Sequence, residues 1–217
     1  ASSEALPLCA AALSLDVFAS LPPSYCRVPP DGGGVDWNDI SGAGSSSGLI
    51  VYSFRWCGGG CLTIRLLRGM KKNPRVIGVK NSSMPTQDIQ MWKDEGGPDF
   101  VVMNGPDEQF ISGLAMGATG GIGGTYAVMP ELFQKVYDLY QAGDMKPAAE
   151  IQNEICRIIY KLCAGHGNLY AVMKAVLKKH GMDVGSVRKP MPALIGSDMA
   201  VVEESSSMID AAIAKYC

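Results

Sequence analysis

Short apolar runs alternate with helical periodicities along the first two thirds of the chain. GLIVYSF at 48–54, RVIGVKNSS at 75–83 and DFVVMNG at 99–105 have the pattern of strands buried on both faces of a parallel sheet. DVFASLPPSY at 16–25 predicts a short strand running into a Pro-rich loop, and TGGIGGTY at 119–126 a further short strand. Between them EALPLCAAAL at 4–13, CLTIRLLRGMKKNP at 61–74, MPTQDIQMWKDEGG at 84–97 and PDEQFISGLAMGA at 106–118 read as helices. Lys71 and Lys72 suit the negative end of the second of these, and Pro74 stops it. Residues 29–48, dense in Gly, Ser and Pro, predict loop.

Beyond residue 130 the pattern changes to long helices: PELFQKVYDLYQAG, KPAAEIQNEICRIIYKLCAG, NLYAVMKAVLKKHG and a final SSSMIDAAIAKYC. Gly143, Gly165 and Gly181 each follow a periodic run as C-terminal stops, and RKPMPALIG at 188–196 is a Pro-bearing connection. Alternating strands and helices imply a parallel sheet covered by helices, either doubly wound or closed as a barrel. No GxGxxG follows the first strand with an acidic residue about 20 positions later, so the expectation is α/β, of the TIM (β/α)8 barrel kind. The strand-helix alternation covers 1–130 and the long helices 131–217.

The balance of 19 basic and 21 acidic residues, with 47% hydrophobic positions, describes a folding chain with no basic field for nucleic acid or an anionic membrane. A small-molecule ligand is expected. No apolar stretch reaches the ~20 residues of a spanning helix, and ASSEALPLCAAALSL has no initiator Met and no basic-then-apolar leader. An internal start is therefore expected. Seven cysteines, an odd number in a chain long enough to build a core, fit a reducing compartment, and the cytoplasm is the expected location. Cys57 and Cys61 lie in CGGGC, but without a second pair, and with His166 and His180 distant in sequence, they read as loop residues; no metal or cofactor is expected.

Barrel chemistry lies at the C-terminal strand ends. Those ends carry Tyr25, Tyr52, Lys80 with Ser82, the stretch Asn104 to Glu108, and Gly123 to Tyr126. A lysine that ends an apolar strand inside a barrel is desolvated, which favours the free amine that attacks a carbonyl, although position alone also fits a lysine reaching solvent. Tyr52, on the preceding strand end, supplies a phenol for proton transfer or, equally, a buried aromatic with a bonded hydroxyl. Asp107 and Glu108 offer adjacent carboxylates for vicinal hydroxyls and also suit the start of a helix.

IVYSF, GVKNSS with its lysine 28 residues beyond the tyrosine, NGPDEQF and GATGGIGGTY occur in that order, and together they resemble the N-acetylneuraminate lyase and dihydrodipicolinate synthase superfamily. The likeness is strongest over about 48–192. It implies a TIM (β/α)8 barrel, here a partial barrel over 1–130 followed over 131–217 by the last barrel helix and a C-terminal helical extension, and a homotetramer, with Lys80 as the imine-forming nucleophile and Tyr52 as the acid/base phenol. Ser82, Gly105, Asp107, Glu108, Gly123 and Gly124 then contact the substrate. The adjacent carboxylates, and Cys57 where synthases carry arginine, resemble the lyase branch, which cleaves N-acetylneuraminate to pyruvate and N-acetylmannosamine without cofactor. A related lyase or synthase of another 2-keto acid, or an inactive partial barrel, are the alternatives.

The chain departs from the family in several places. Three N-terminal strand-helix units and the carboxylate-binding Gly-Ser/Thr-Thr-Gly-Glu loop have no counterpart before Tyr52. Ser53, Phe54 and Arg55 replace Asn-Ile-Pro, and Gly124 stands where lyases carry serine.

Overall fold

The computed structural model describes residues 16–20, 47–53 and 62–217. The helix expected at 4–13, the Gly- and Ser-rich stretch up to residue 46, Tyr25, and the pair Cys57 and Cys61 lie outside the described residues. The chain divides into two compact units, Ala1–Pro106 with Ser112–Gly121, and Asp107–Ile111 with Ile122–Cys217.

In the first unit five parallel strands stand side by side in chain order: β1 (Val17–Ser20), β2 (Gly48–Ser53), β3 (Val76–Asn81), β4 (Val101–Asn104) and β5 (Gly120–Gly121). A doubly wound sheet would reverse its strand order at a switch point, whereas unbroken sequential order is that of a (β/α) barrel. The barrel-type expectation therefore holds over the described strands. Helices α1 (Ile64–Met70) and α2 (Thr86–Gly96) form the crossovers. α1 starts where the Thr63 hydroxyl accepts the Leu66 amide at 3.1 Å, satisfying one of the donors a helix N-terminus leaves open.

Side chains alternate across a strand, and the two faces of this sheet differ in chemistry. One face packs Leu49, Val51, Val79 and Val102 against Leu67, Met70, Ile89, Trp92 and Phe100, an apolar layer whose burial stabilises at about 25 cal/mol per Å². Pairing aligns the other face in rows. Tyr52 stands opposite Lys80, Lys80 opposite Met103 and Met103 opposite Gly120. The apolar layer fixes the register, because a one-residue slip would turn Lys80 into that layer.

The second unit is helical: α4 (Pro130–Gln141), α5 (Met145–Leu162), α6 (Leu169–Lys179) and α7 (Asp198–Tyr216). α5 buries Ala148, Ile151, Ile155, Ile158, Ile159 and Leu162, the i, i+3, i+4 stripe of an amphipathic helix. Gly143 and Gly181, at φ +83° and +87°, are the left-handed stops expected after α4 and α6.

Three local expectations change. The segment 106–118 forms a 3-10 turn at Asp107–Gln109 followed by the short helix α3 (Phe110–Ala115). The strand expected over 119–126 shrinks to β5, because Thr125–Ala127 turns into a 3-10 helix. α7 begins at Asp198 rather than near 205, since the Asp198 carboxylate accepts the backbone N–H groups of His166, Gly167 and Ile195 at 2.7, 3.0 and 2.9 Å and fixes that start.

Candidate functional site

Lys80 is the penultimate residue of β3 and only 9% exposed. Its Nζ lies over the ring of Tyr52, 3.8 Å from the centroid, as strand pairing of the two residues dictates. The two expected catalytic residues are therefore brought together. The recorded contact is to the ring face, which attracts a positive nitrogen through its quadrupole.

Ser82 and Gly105 lie beside this pair in the same unit. The Gly105 amide donates to the Asn81 carbonyl at 2.7 Å. A Cβ on Gly105 would fall 2.5 Å from that carbonyl oxygen and 2.3 Å from the Ser82 hydroxyl, so only glycine permits the approach. Behind the lysine, Asn81 points into the helix-facing layer, where its Oδ1 accepts the indole N–H of Trp92 at 3.0 Å.

The remaining candidates belong to the second unit. Asp107 is 7% exposed, and its Oδ2 accepts both the backbone N–H and the hydroxyl of Thr125, at 2.8 and 2.6 Å. Its carboxylate thus braces the Gly123–Thr125 loop, while Asp107 and Glu108 also open a 3-10 turn, as expected of acidic residues at a helix start. Glu108, next in the chain, is exposed. A Cβ on Gly123 would sit 1.4 Å from Asp107 Oδ1, and one on Gly124 would meet the Tyr170 ring at 2.9 Å. A serine at position 124 would therefore require Tyr170 to move.

Sequence reading missed the supports of this loop. Gln152 of α5 accepts the Ile111 amide at 3.0 Å and donates to the Asp107 carbonyl at 3.2 Å, while the Cys156 thiol donates to the Glu108 carbonyl at 3.4 Å. Burial pushes the Cys156 thiol up. A buried glutamine on the apolar stripe of a helix was the available signal. Among the described residues no group of three or more His, Cys, Asp or Glu is arranged to hold a metal, and no helix is long and apolar enough to cross a membrane.

The model of the dihydrodipicolinate synthetase family matches residues 2–205. The N-acetylneuraminate lyase of Mediterraneibacter gnavus is 46% identical over 215 residues, covering 99% of this chain and 68% of that protein. The N-acetylneuraminate lyase of Lactiplantibacillus plantarum is 31% identical over 143 residues, 66% of this chain and 48% of its own length. The solved structure of the Ruminococcus gnavus sialic acid aldolase superposes with a TM-score of 0.96 at 46% identity, covering 99% of this chain and 71% of that one. A catalytic lysine mutant of that aldolase superposes equally well.

Proposed function

Because the chain belongs to the dihydrodipicolinate synthetase family, we propose that it is a class I aldolase that cleaves N-acetylneuraminate to pyruvate and N-acetylmannosamine through an imine on Lys80. One observation carries the reading: a buried lysine amine held 3.8 Å over a tyrosine ring at the C-terminal edge of a parallel sheet. A relative 46% identical is an N-acetylneuraminate lyase, and a sialic acid aldolase of known structure, also 46% identical, has a catalytic lysine. These support the assignment.

The chemistry follows from the residues. The free amine of Lys80 attacks the keto carbon of the open-chain sugar acid, water leaves, and a protonated imine forms. Its nitrogen keeps a positive charge, so the Tyr52 ring that attracts the ammonium also attracts the iminium. The bond between C3 and C4 then breaks. Its electron pair flows to the iminium nitrogen as an enamine, and the Tyr52 phenol relays the proton of the C4 hydroxyl, taking it up as it gives its own to the substrate carboxylate, while the aldehyde is released. Protonation of the enamine and addition of water return pyruvate and the free amine. This reading assigns substrate contacts to Ser82 and Gly105 of the first unit and to Asp107, Glu108, Gly123 and Gly124 of the second, with Glu108 supplying an exposed carboxylate for sugar hydroxyls.

The test is reaction with pyruvate and borohydride, read by peptide mass. A reduced adduct on Lys80, lost in Lys80→Ala, is expected; a wild-type protein that stays unmodified refutes the reading. A second reading rests on the sheet, whose five described strands leave two edges. A chain that binds keto acid without turnover fits that geometry, and it would show the adduct but release no N-acetylmannosamine. Cytoplasmic location and a homotetramer complete the proposal, with solution mass as the measure of assembly.

A further inference from the structure

Lys80 is one residue from the end of β3, where paired backbone gives way to loop, yet its amine must meet a carbonyl carbon within a few tenths of an ångström. What holds the end of β3 lies on its other face. Asn81, fully buried, sends its side chain away from Lys80 into the layer under α2. Its Oδ1 accepts the indole N–H of Trp92 at 3.0 Å and lies 3.0 Å from the Ser83 hydroxyl. That hydroxyl is 2.6 Å from Asp88 Oδ2. A hydroxyl has one proton, and the nearer, carboxylate oxygen takes it. Among the described residues the indole is then the donor dedicated to Asn81, and Asn81 Nδ2 has no partner, so the side-chain amide is oriented through its oxygen. The Asn81 carbonyl, in turn, receives the Gly105 amide at 2.7 Å.

We infer that the Trp92–Asn81 hydrogen bond is a positioning contact for the reactive lysine: α2, through its indole N–H, sets where the end of β3 presents Lys80 over the Tyr52 ring. Trp92 and Asp88 lie one turn apart on the same side of α2, and both reach the residues just after Lys80. The inference rests on the aldolase reading and adds residues that touch no substrate. Catalytic geometry is steep in distance, a displacement of about 1 Å costing on the order of 10²-fold, so a partial loosening should slow chemistry while leaving the substrate-binding side chains in place.

Trp92→Phe keeps an aromatic ring in the layer and removes the N–H. Its expected result is a fall of about tenfold in kcat for sialic acid cleavage, with KM changed less than about twofold. The rate at which pyruvate and borohydride label Lys80 should fall in parallel. Ile89→Val, on the same helix and fully buried, loosens the layer without touching Asn81 and should label at the wild-type rate. Asn81→Leu gives a second route to the same loss should Trp92→Phe fold poorly. Wild-type labelling rates in Trp92→Phe or Asn81→Leu, or an equal fall in Ile89→Val, overturn the inference and leave the aldolase reading intact. An unreactive Lys80 in the wild-type protein overturns both.

Discussion

Gly123→Ala is the most demanding test of how the Asp107 loop is built. A methyl group at position 123 would lie 1.4 Å from Asp107 Oδ1 and 2.4 Å from its Cγ, well inside the separation real Cβ atoms show. No small adjustment relieves this. The carboxylate must swing away, and its two bonds from Thr125, at 2.8 and 2.6 Å, are lost. A hydrogen bond to a charged group contributes about 1.5–3 kcal/mol; these two share one oxygen, so their losses are not additive, and the variant should lose about 3 kcal/mol in total. Urea unfolding followed by far-UV circular dichroism reports on the helical second unit. At ~1–3 kcal/mol per molar urea, the midpoint should drop by about 1–3 M. The decisive measurement is the cycle with Asp107→Ala. With the carboxylate gone the three atoms nearest the added methyl are removed, so Gly123→Ala in that background should cost under about 1 kcal/mol, a coupling of about 2 kcal/mol. Additive costs, or a single-variant loss below about 1 kcal/mol, would show that Gly123 is not constrained by Asp107.

Three further outcomes follow from the same coordinates. Tyr52→Phe keeps the ring under Lys80 and removes the phenol; imine trapping by pyruvate and borohydride should persist while turnover falls about 10²-fold or more, and loss of both together would contradict the division of roles. Gln152→Leu strands the Ile111 N–H and the Asp107 carbonyl and should lower stability by about 2 kcal/mol in urea titration; an unchanged midpoint would deny those bonds any weight. The backbone N–H groups of Ile195 and His166, with that of Gly167, hold the Asp198 carboxyl below the usual carboxylate range. A depressed folded-state value means that its stabilisation is present above the unfolded value of about 4 and disappears as pH falls through the folded one. Asp198→Asn should therefore flatten the loss of stability below about pH 4, and parallel curves for the two proteins would count against the assignment.

The sheet was legible because its signals are local and redundant. Runs such as LIVY and VIGV state burial on both faces, and their spacing leaves room for one crossover helix each, so strand order follows. The pairing of Tyr52 with Lys80 also follows, since adjacent parallel strands of the same length bring their ends together. Element ends were less legible where a distant side chain decides them. Near residue 198 the local signal is only Ser197 and Asp198, common helix-start residues, while the amides that fix Asp198 include those of His166 and Gly167, more than 30 positions away in sequence. Likewise the Gly-rich 119–126 looked like strand, yet Thr125 is drawn into a turn by a carboxylate 18 residues earlier.

The adjacent carboxylates show why residue type alone could not apportion roles at this site. Asp107 and Glu108 are chemically alike and were read as one unit for binding hydroxyls. Burial separates them: Asp107 is enclosed, and one of its oxygens is committed to Thr125, whereas Glu108 is exposed. A buried carboxylate bonded to protein donors is expensive to displace, so Asp107 is committed to the loop it braces, whereas the Glu108 carboxylate stays open to solvent. The same division recurs at Lys80 and Asn81, consecutive residues on opposite faces of β3, where one presents reactive nitrogen and the other is spent on holding the strand. In both places a polar side chain stands next in sequence to a buried, hydrogen-bonded one; at β3 that relation follows from period-two alternation across the strand.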